Sequence, residues 1–119
     1  LEVYQKGLDM HSRVTCQVHG LNYDMFEQIR NHRADTAEET NENINKAISE
    51  WGETEDLEYA VSYYNTKNSN SLDVGNVNEN LITDLASFFE LLRKQTKSVV
   101  FGKLVAEVKP LSKQGRLSA

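Results

Sequence analysis

Residues 36–64 read TAEETNENINKAISEWGETEDLEYAVSYY and predict two consecutive amphipathic helices. Thr36 and Glu39 form a capping box, in which each side chain accepts a hydrogen bond from a free backbone amide at the start of a helix. Gly52 ends this helix, and Thr54 is a suitable N-cap for the next. Each helix has an apolar stripe at the spacing i, i+3, i+4, i+7. The stripes are Ile44, Ala47, Ile48 and Trp51, then Leu57, Ala60, Val61 and Tyr64.

Helical patterns also lie on either side of this pair. A helix is predicted from Tyr23 to about His32, after polar residues that can cap it. Residues 81–92 read LITDLASFFELL and predict the strongest helix of the chain, because their apolar face is wide enough to be central to a core. Asn78 or Asn80 is its expected cap.

The segment between these helices, residues 65–80, has the composition of a loop. It contains six asparagines together with Gly75, and these residue types favour turns over helices. The chain of 119 residues has the length of one domain. Residues 1–119 are therefore predicted to form a single, mainly α domain, a small bundle of four to five helices.

The N-terminal region has a different periodicity. Val14, Cys16 and Val18 alternate with polar residues, which is the pattern of a half-buried strand. We therefore expect a short extended segment over residues 12–19, ahead of the helices.

The C-terminal region fits two structures. Residues 98–108 form either a helix that stops at Pro110 or a hairpin that turns at Gly102-Lys103. We favour the helix, followed by a loose basic tail over residues 111–119. In the alternative, the hairpin pairs with residues 12–19 and the fold is α+β.

The predicted core unites the apolar stripes of the helices, because each stripe must be buried against another element. Its members are Phe26, Ile29, Ile44, Ile48, Trp51, Leu57, Val61, Leu85, Phe88, Leu92, Val99 and Leu104.

The charges of the chain are divided between its two ends. Residues 1–92 contain 17 acidic and 6 basic residues, a balance of −11, whereas residues 93–119 contain one acidic and 7 basic residues, a balance of +6. We call residues 93–119 the basic segment. Its cations are Arg93, Lys94, Lys97, Lys103, Lys109, Lys113 and Arg116.

The basic segment is the expected contact surface of the protein. If it is helical, it is amphipathic, and such a helix can dock in the groove of a protein partner or of a second copy. These cations also suit the C-terminal end of a helix and a solvated surface, which needs no partner. We therefore expect a non-enzymatic protein–protein interaction domain, regulatory or assembly-forming, with a protein partner or self-association and no cofactor.

A nucleic-acid-binding accessory protein is an alternative, because the same cations can neutralise phosphates. The acidic remainder of the chain would repel phosphate at long range, and a membrane partner is not expected. Cys16 is the single cysteine, so no internal disulfide can form. This favours an intracellular, cytoplasmic protein.

An acidic pattern suggests a second alternative. Glu38, Glu39 and Glu42 read E-E-x-x-E, and Glu53 and Asp56 read E-x-x-D. On neighbouring helices, these carboxylates could converge and hold Mg²⁺, which prefers oxygen ligands. The pair of motifs resembles the signature of the all-helical MazG-like nucleotide pyrophosphohydrolases. The resemblance implies magnesium-dependent hydrolysis of nucleoside triphosphates. The residues themselves also fit a simpler interpretation, that of solvated carboxylates favoured by the dipole in the first turn of a helix.

Four further side chains have the chemistry of zinc ligands: His11, Cys16, His19 and His32. In a strand over residues 12–19, however, Cys16 and His19 would point to opposite faces. Cys16 is then expected in the core, as free cysteines usually are, and no metal site is assigned.

Overall fold

A computed structural model describes the backbone of residues 9–116 and the side chains of residues 9–98. The described part consists of five α-helices and contains no strand. They are α1 (Met10–His19), α2 (Tyr23–Arg30), α3 (Ala37–Trp51), α4 (Glu55–Asn68) and α5 (Glu79–Arg116). The predicted mainly α bundle is confirmed, and the α+β alternative is wrong for the described residues.

The expected extended segment over residues 12–19 is also wrong, because these residues belong to α1. The buried side of α1 consists of Ser12, Thr15 and Cys16, whereas Val18 is 68% exposed. Small polar residues therefore line the helix–helix contact, and the valines that produced the alternating pattern do not. Gly20 ends α1 in the left-handed conformation, with φ of 73°.

The predicted helix caps are confirmed by their hydrogen bonds. The backbone amides of Glu39 and Leu57 donate to the hydroxyls of Thr36 and Thr54 at 3.1 and 3.3 Å. For α5, the amide of Leu81 donates to Asn78 Oδ1 at 3.0 Å, which selects Asn78 over Asn80. The loop between α4 and α5 is shorter than predicted, since α4 continues to Asn68.

The long helix α5 is the central element of the bundle, since each of the other four helices packs against it. Its first half carries the largest apolar surface of the core, with Leu85 and Phe89 fully buried. The rings of Phe89 and Phe26 stack with centroids 4.8 Å apart and join α5 to α2. Offset aromatic pairs of this kind add to the gain from burial alone.

The favoured helix over residues 98–108 is confirmed, but its predicted end at Pro110 is wrong. The backbone of α5 is helical as far as Arg116, so Pro110 lies within the helix. Proline removes one backbone hydrogen bond, usually at a cost of about 3 kcal/mol, and for this reason the sequence predicts a stop. Residues 117–119 of the predicted loose tail lie outside the described residues.

Most of the predicted core is buried in one cluster. Ile48 and Trp51 are only partly buried, and the side chains of Val99 and Leu104 lie outside the described residues. The indole Nε1 of Trp51 donates to Gln28 Oε1 at 2.9 Å, which explains its place at the boundary. The remaining eight predicted residues are buried, together with Cys16, Leu21, Met25, Ala47, Ala60, Leu81, Ile82, Ala86 and Phe89.

Candidate functional site

The structure places the cations of the basic segment in different environments. Arg93 lies against the bundle, where its Nη2 donates to the carboxylate of Asp9 at 2.9 Å. Its side chain is only 20% exposed. Lys94 and Lys97 are exposed on α5. The other four lie in the helical backbone of α5, and their side chains are outside the described residues: Lys103, Lys109, Lys113 and Arg116. Arg93 therefore has a role within the fold.

Arg93 belongs to a charged cluster that joins α1, α2 and α5. Arg30 on α2 is its centre, with Nε and Nη2 donating to Glu27 at 2.9 and 3.0 Å and Nη1 donating to Glu90 at 2.9 Å. Nη2 of Arg30 also lies 3.6 Å from Asp9. We call Asp9, Glu27, Arg30, Glu90 and Arg93 the charged cluster. It links α5 to α2 and to the N-terminal end of α1, and loss of one member would leave a partly buried charge uncompensated.

The pKa values follow from this geometry. Burial raises the pKa of Asp9, but hydrogen bonds from Arg93 and from the amide of Ser12, with the charges of Arg93 and Arg30, outweigh it. The pKa of Asp9 is therefore below its usual value. Burial alone would lower the pKa of Arg30, but the hydrogen bonds to Glu27 and Glu90, together with their charges, outweigh it and raise the pKa above its ordinary value.

The carboxylates expected to hold magnesium are not brought together. The three on α3 lie in its first two turns, whereas the other two follow its opposite end, which is about 14 to 20 Å away along the helix. Within residues 9–98, no group of three or more His, Cys, Asp or Glu side chains is arranged to hold a metal ion. All five are exposed: Glu38, Glu39, Glu42, Glu53 and Asp56.

One of these carboxylates, Glu53, lies instead at the edge of a cleft, together with Glu58. This cleft, of about 450 Å³, is formed by the end of α3, the start of α4 and the loop before α5. Ile48, Val74 and Val77 are its apolar walls, and each also packs against the core. Glu53 and Glu58 are exposed at its rim. We call these five residues the acidic cleft.

The loop that forms one wall of the acidic cleft is held by side-chain hydrogen bonds. The side-chain amide of Asn65 makes two hydrogen bonds with the backbone of Leu72. It accepts from the backbone amide at 2.8 Å and donates to the carbonyl at 3.1 Å. The carboxylate of Asp73 accepts from the amide of Gly75 at 2.9 Å, which closes a local turn. The sequence signal for this wall is the group of apolar residues Leu72, Val74 and Val77 within an otherwise polar segment.

Three of the four side chains with the chemistry of zinc ligands have separate roles in the described part of the fold, and no three of the four are arranged to hold a metal ion there. In α1, Cys16 and His19 lie three residues apart on one side of a helix. The expectation that they point to opposite faces of a strand is therefore wrong. Cys16 is in the core, where burial and then the charge of Glu27 raise its pKa to about 12. The ring of His19 pairs with Tyr63, its Nδ1 2.5 Å from the hydroxyl. The buried His32 bonds through Nδ1 to the carbonyl of Ile29 at 2.9 Å.

Burial lowers the pKa of His19, and Lys67 lowers it further. The surroundings of this ring are aromatic. Tyr59 stacks on Tyr63 with centroids 5.9 Å apart, and its hydroxyl donates to the carbonyl of His19 at 2.6 Å. Tyr63 also contacts Phe88 on α5. These aromatic contacts join α1 and α4 to α5. The hydroxyls of Tyr59 and Tyr63 and the ring of His19 therefore contribute to the packing of the bundle.

Comparison with family models, with curated proteins and with solved structures found no match. In the described part of the chain, no helix has the length and apolarity required to cross a membrane.

Proposed function

We propose that this chain is a non-enzymatic interaction module, and that the basic segment on α5 associates with a second copy of the chain. The observation that carries the proposal is the length of α5. With 38 residues, it extends over about 57 Å, whereas α3, the longest of the other helices, has 15 residues and extends over about 22 Å. The first half of α5 supplies its buried residues, and the side chains of this helix are described as far as residue 98.

The sequence beyond Thr96 has the pattern of a contact surface. Apolar residues recur at i, i+4, i+8 and i+11: Val100, Leu104, Val108 and Leu111. On a helix, this spacing forms one stripe, and an apolar stripe is stable when it is covered. The cations between these residues would keep such a surface soluble before it meets its partner.

Charge supports a second copy as the partner. The basic segment has a balance of +6 and residues 1–92 have a balance of −11, so each copy carries both halves of a complementary pair. Complementary charges increase the rate of association and disfavour unsuitable partners.

The test is the molar mass in solution, measured by size-exclusion chromatography with light scattering at about 0.1 M and about 1 M salt. Screening shortens the reach of charges from about 10 Å to about 3 Å over this range. We expect an oligomer of the 13.6 kDa chain that weakens at high salt. A variant with Lys97, Lys103 and Lys109 replaced by Gln is expected to be a monomer under both conditions.

The matched control replaces three exposed cations outside the basic segment by Gln: Arg13, Arg33 and Lys46. It has the same net charge as the first variant and is expected to associate like the unmodified chain. A chain that is monomeric at both salt concentrations would reject the proposal. So would equal association of the two variants.

A further inference from the structure

We infer that the acidic cleft of one copy receives the basic segment of a second copy in an antiparallel dimer, an inference that rests on the proposed self-association. The two surfaces of this contact are the acidic cleft and the basic segment, and the dimer has two-fold symmetry. The lining of the cleft favours such a contact. This lining includes the apolar side chains of Ile48, Val74 and Val77 beside polar surface. It also includes Glu53 and Glu58, which have no ion-pair partner among the described residues.

The basic segment has the complementary composition. A lysine combines an apolar stem with a terminal charge, so it can contact an apolar wall while its ammonium group reaches a carboxylate at the rim. On the helix, Lys103 lies three residues after Val100 and Lys109 lies four residues after Val105, so each lysine is next to an apolar residue on the helix surface. A cleft of about 450 Å³ is within the range of volumes that bind small ligands or a few side chains.

The position of the cleft excludes a contact within one chain. Val74 and Val77 directly precede α5, which begins at Glu79. Lys103 lies 24 residues further along this continuous helix and Lys109 lies 30 residues further, which corresponds to about 36 and 45 Å. The helix cannot bend back over such a distance, so a cleft and a segment that meet belong to different copies.

The two ends of α5 then determine the symmetry. The acidic cleft lies beside the N-terminal end of α5, and the basic segment forms its C-terminal end. When two copies align their α5 helices in opposite directions, each cleft lies beside the segment of the other copy. Both contacts form at once and the assembly closes as a two-fold dimer. Once one contact has formed, the second is intramolecular, which strengthens the pair.

The test uses two charge-reversal variants of the full chain. The cleft variant carries Glu53→Lys and Glu58→Lys, and the segment variant carries Lys103→Glu and Lys109→Glu. Each alone is expected to raise the dissociation constant at least about tenfold, because attractions in both contacts become repulsions. A matched control for the cleft variant, Glu38→Lys with Glu42→Lys, makes the same charge change on exposed residues of α3 outside the cleft. This control is expected to dimerise normally. Circular dichroism checks that every variant keeps its helical content.

Mixing the two variants is the decisive experiment. In a mixed dimer, the lysines of one cleft face the glutamates of the other segment, and the second contact has its original charges. We therefore expect the mixture to form a dimer of about 27 kDa, twice the 13.6 kDa of one chain, although neither variant does so alone.

The outcomes separate this inference from the proposed function. If the segment variant is monomeric but the cleft variant still dimerises, self-association stands and the cleft assignment is rejected. If mixing does not restore the dimer, the pairing of these two surfaces is rejected. Masses larger than a dimer contradict the closed antiparallel arrangement. If the unmodified chain is a monomer, the proposed function and this inference are both rejected.

Discussion

Replacing Asp9 by Asn tests the charged cluster directly. Asn caps helices about as well as Asp, so the N-cap of α1 is kept, while the negative charge and the oxygen that accepts from Nη2 of Arg93 are lost. That charge lies 2.9 Å from Nη2 of Arg93 and 3.6 Å from Nη2 of Arg30. The carboxylate side chain is 24% exposed, so the loss is expected to fall between that of a surface pair and that of a buried one. We expect the free energy of unfolding at neutral pH to fall by about 1–2 kcal/mol.

The loss of stability in Asp9→Asn is expected to depend on pH, with a sign that follows from the pKa of Asp9. In the folded protein the pKa of Asp9 is below its usual value, so the unfolded chain binds more protons in the acidic range. The stabilisation by Asp9 is therefore complete above the unfolded pKa of about 3.9 and is lost as the pH falls through the lower folded value. The difference in the free energy of unfolding between the unmodified chain and Asp9→Asn is expected to decrease toward zero as the pH falls over that range.

The assay is urea unfolding followed by circular dichroism at a series of pH values. Asp84→Asn is the control, because Asp84 is exposed on α5 and has no ion pair among the described residues. The control is expected to change the free energy of unfolding by less than about 0.5 kcal/mol. A loss for Asp9→Asn as small as that of the control would refute a stabilising role of the cluster. A difference that does not change with pH would refute the electrostatic explanation.

Three further predictions concern α1. Gly20→Ala is expected to lower the free energy of unfolding by about 1–2 kcal/mol, because φ is 73° and the new Cβ would lie 3.2 Å from the hydroxyl of Tyr59; an unchanged melting temperature would contradict this. Cys16, with its pKa raised to about 12, is expected to react with a thiol reagent slowly in the folded protein and rapidly in urea; equal rates would show that it is accessible. The imidazole of His19 is expected to titrate below about 6.5 by NMR, and Lys67→Gln is expected to raise the midpoint; a midpoint above 6.5 would contradict the effect of burial.

Much of the helical framework could be predicted, because helix caps and apolar stripes are local signals. Thr36, Thr54 and Asn78 cap the helices that their neighbours in sequence predict. The helix α1 was missed because the residues that it buries, Ser12 and Thr15, are not apolar. Their burial depends on a close approach to other helices, and no pattern within ten residues reports that approach.

The candidate site was predictable only in part. The basic segment and its amphipathic spacing are visible in the sequence, and a helix over residues 98–108 is confirmed. The acidic cleft was not predicted, because Val77 and Ile48 are separated by 29 positions and meet only when the loop before α5 packs beside α3. The five carboxylates that suggested a magnesium site do not form one group, because α3 separates the three near its start from the two that follow its end.

Local signals in the sequence, the helix caps and the apolar spacings, are enough to predict where α2 to α5 begin and which of their faces are apolar, and the division of charge follows from composition alone. Which charges pair within the fold depends on how the helices pack. Arg93 has the same chemistry as a cation free for a partner, yet it pairs with Asp9, 84 residues earlier. The packing of α5 against α1 brings these two groups together, because ion pairs depend on distance in space and not on position along the chain.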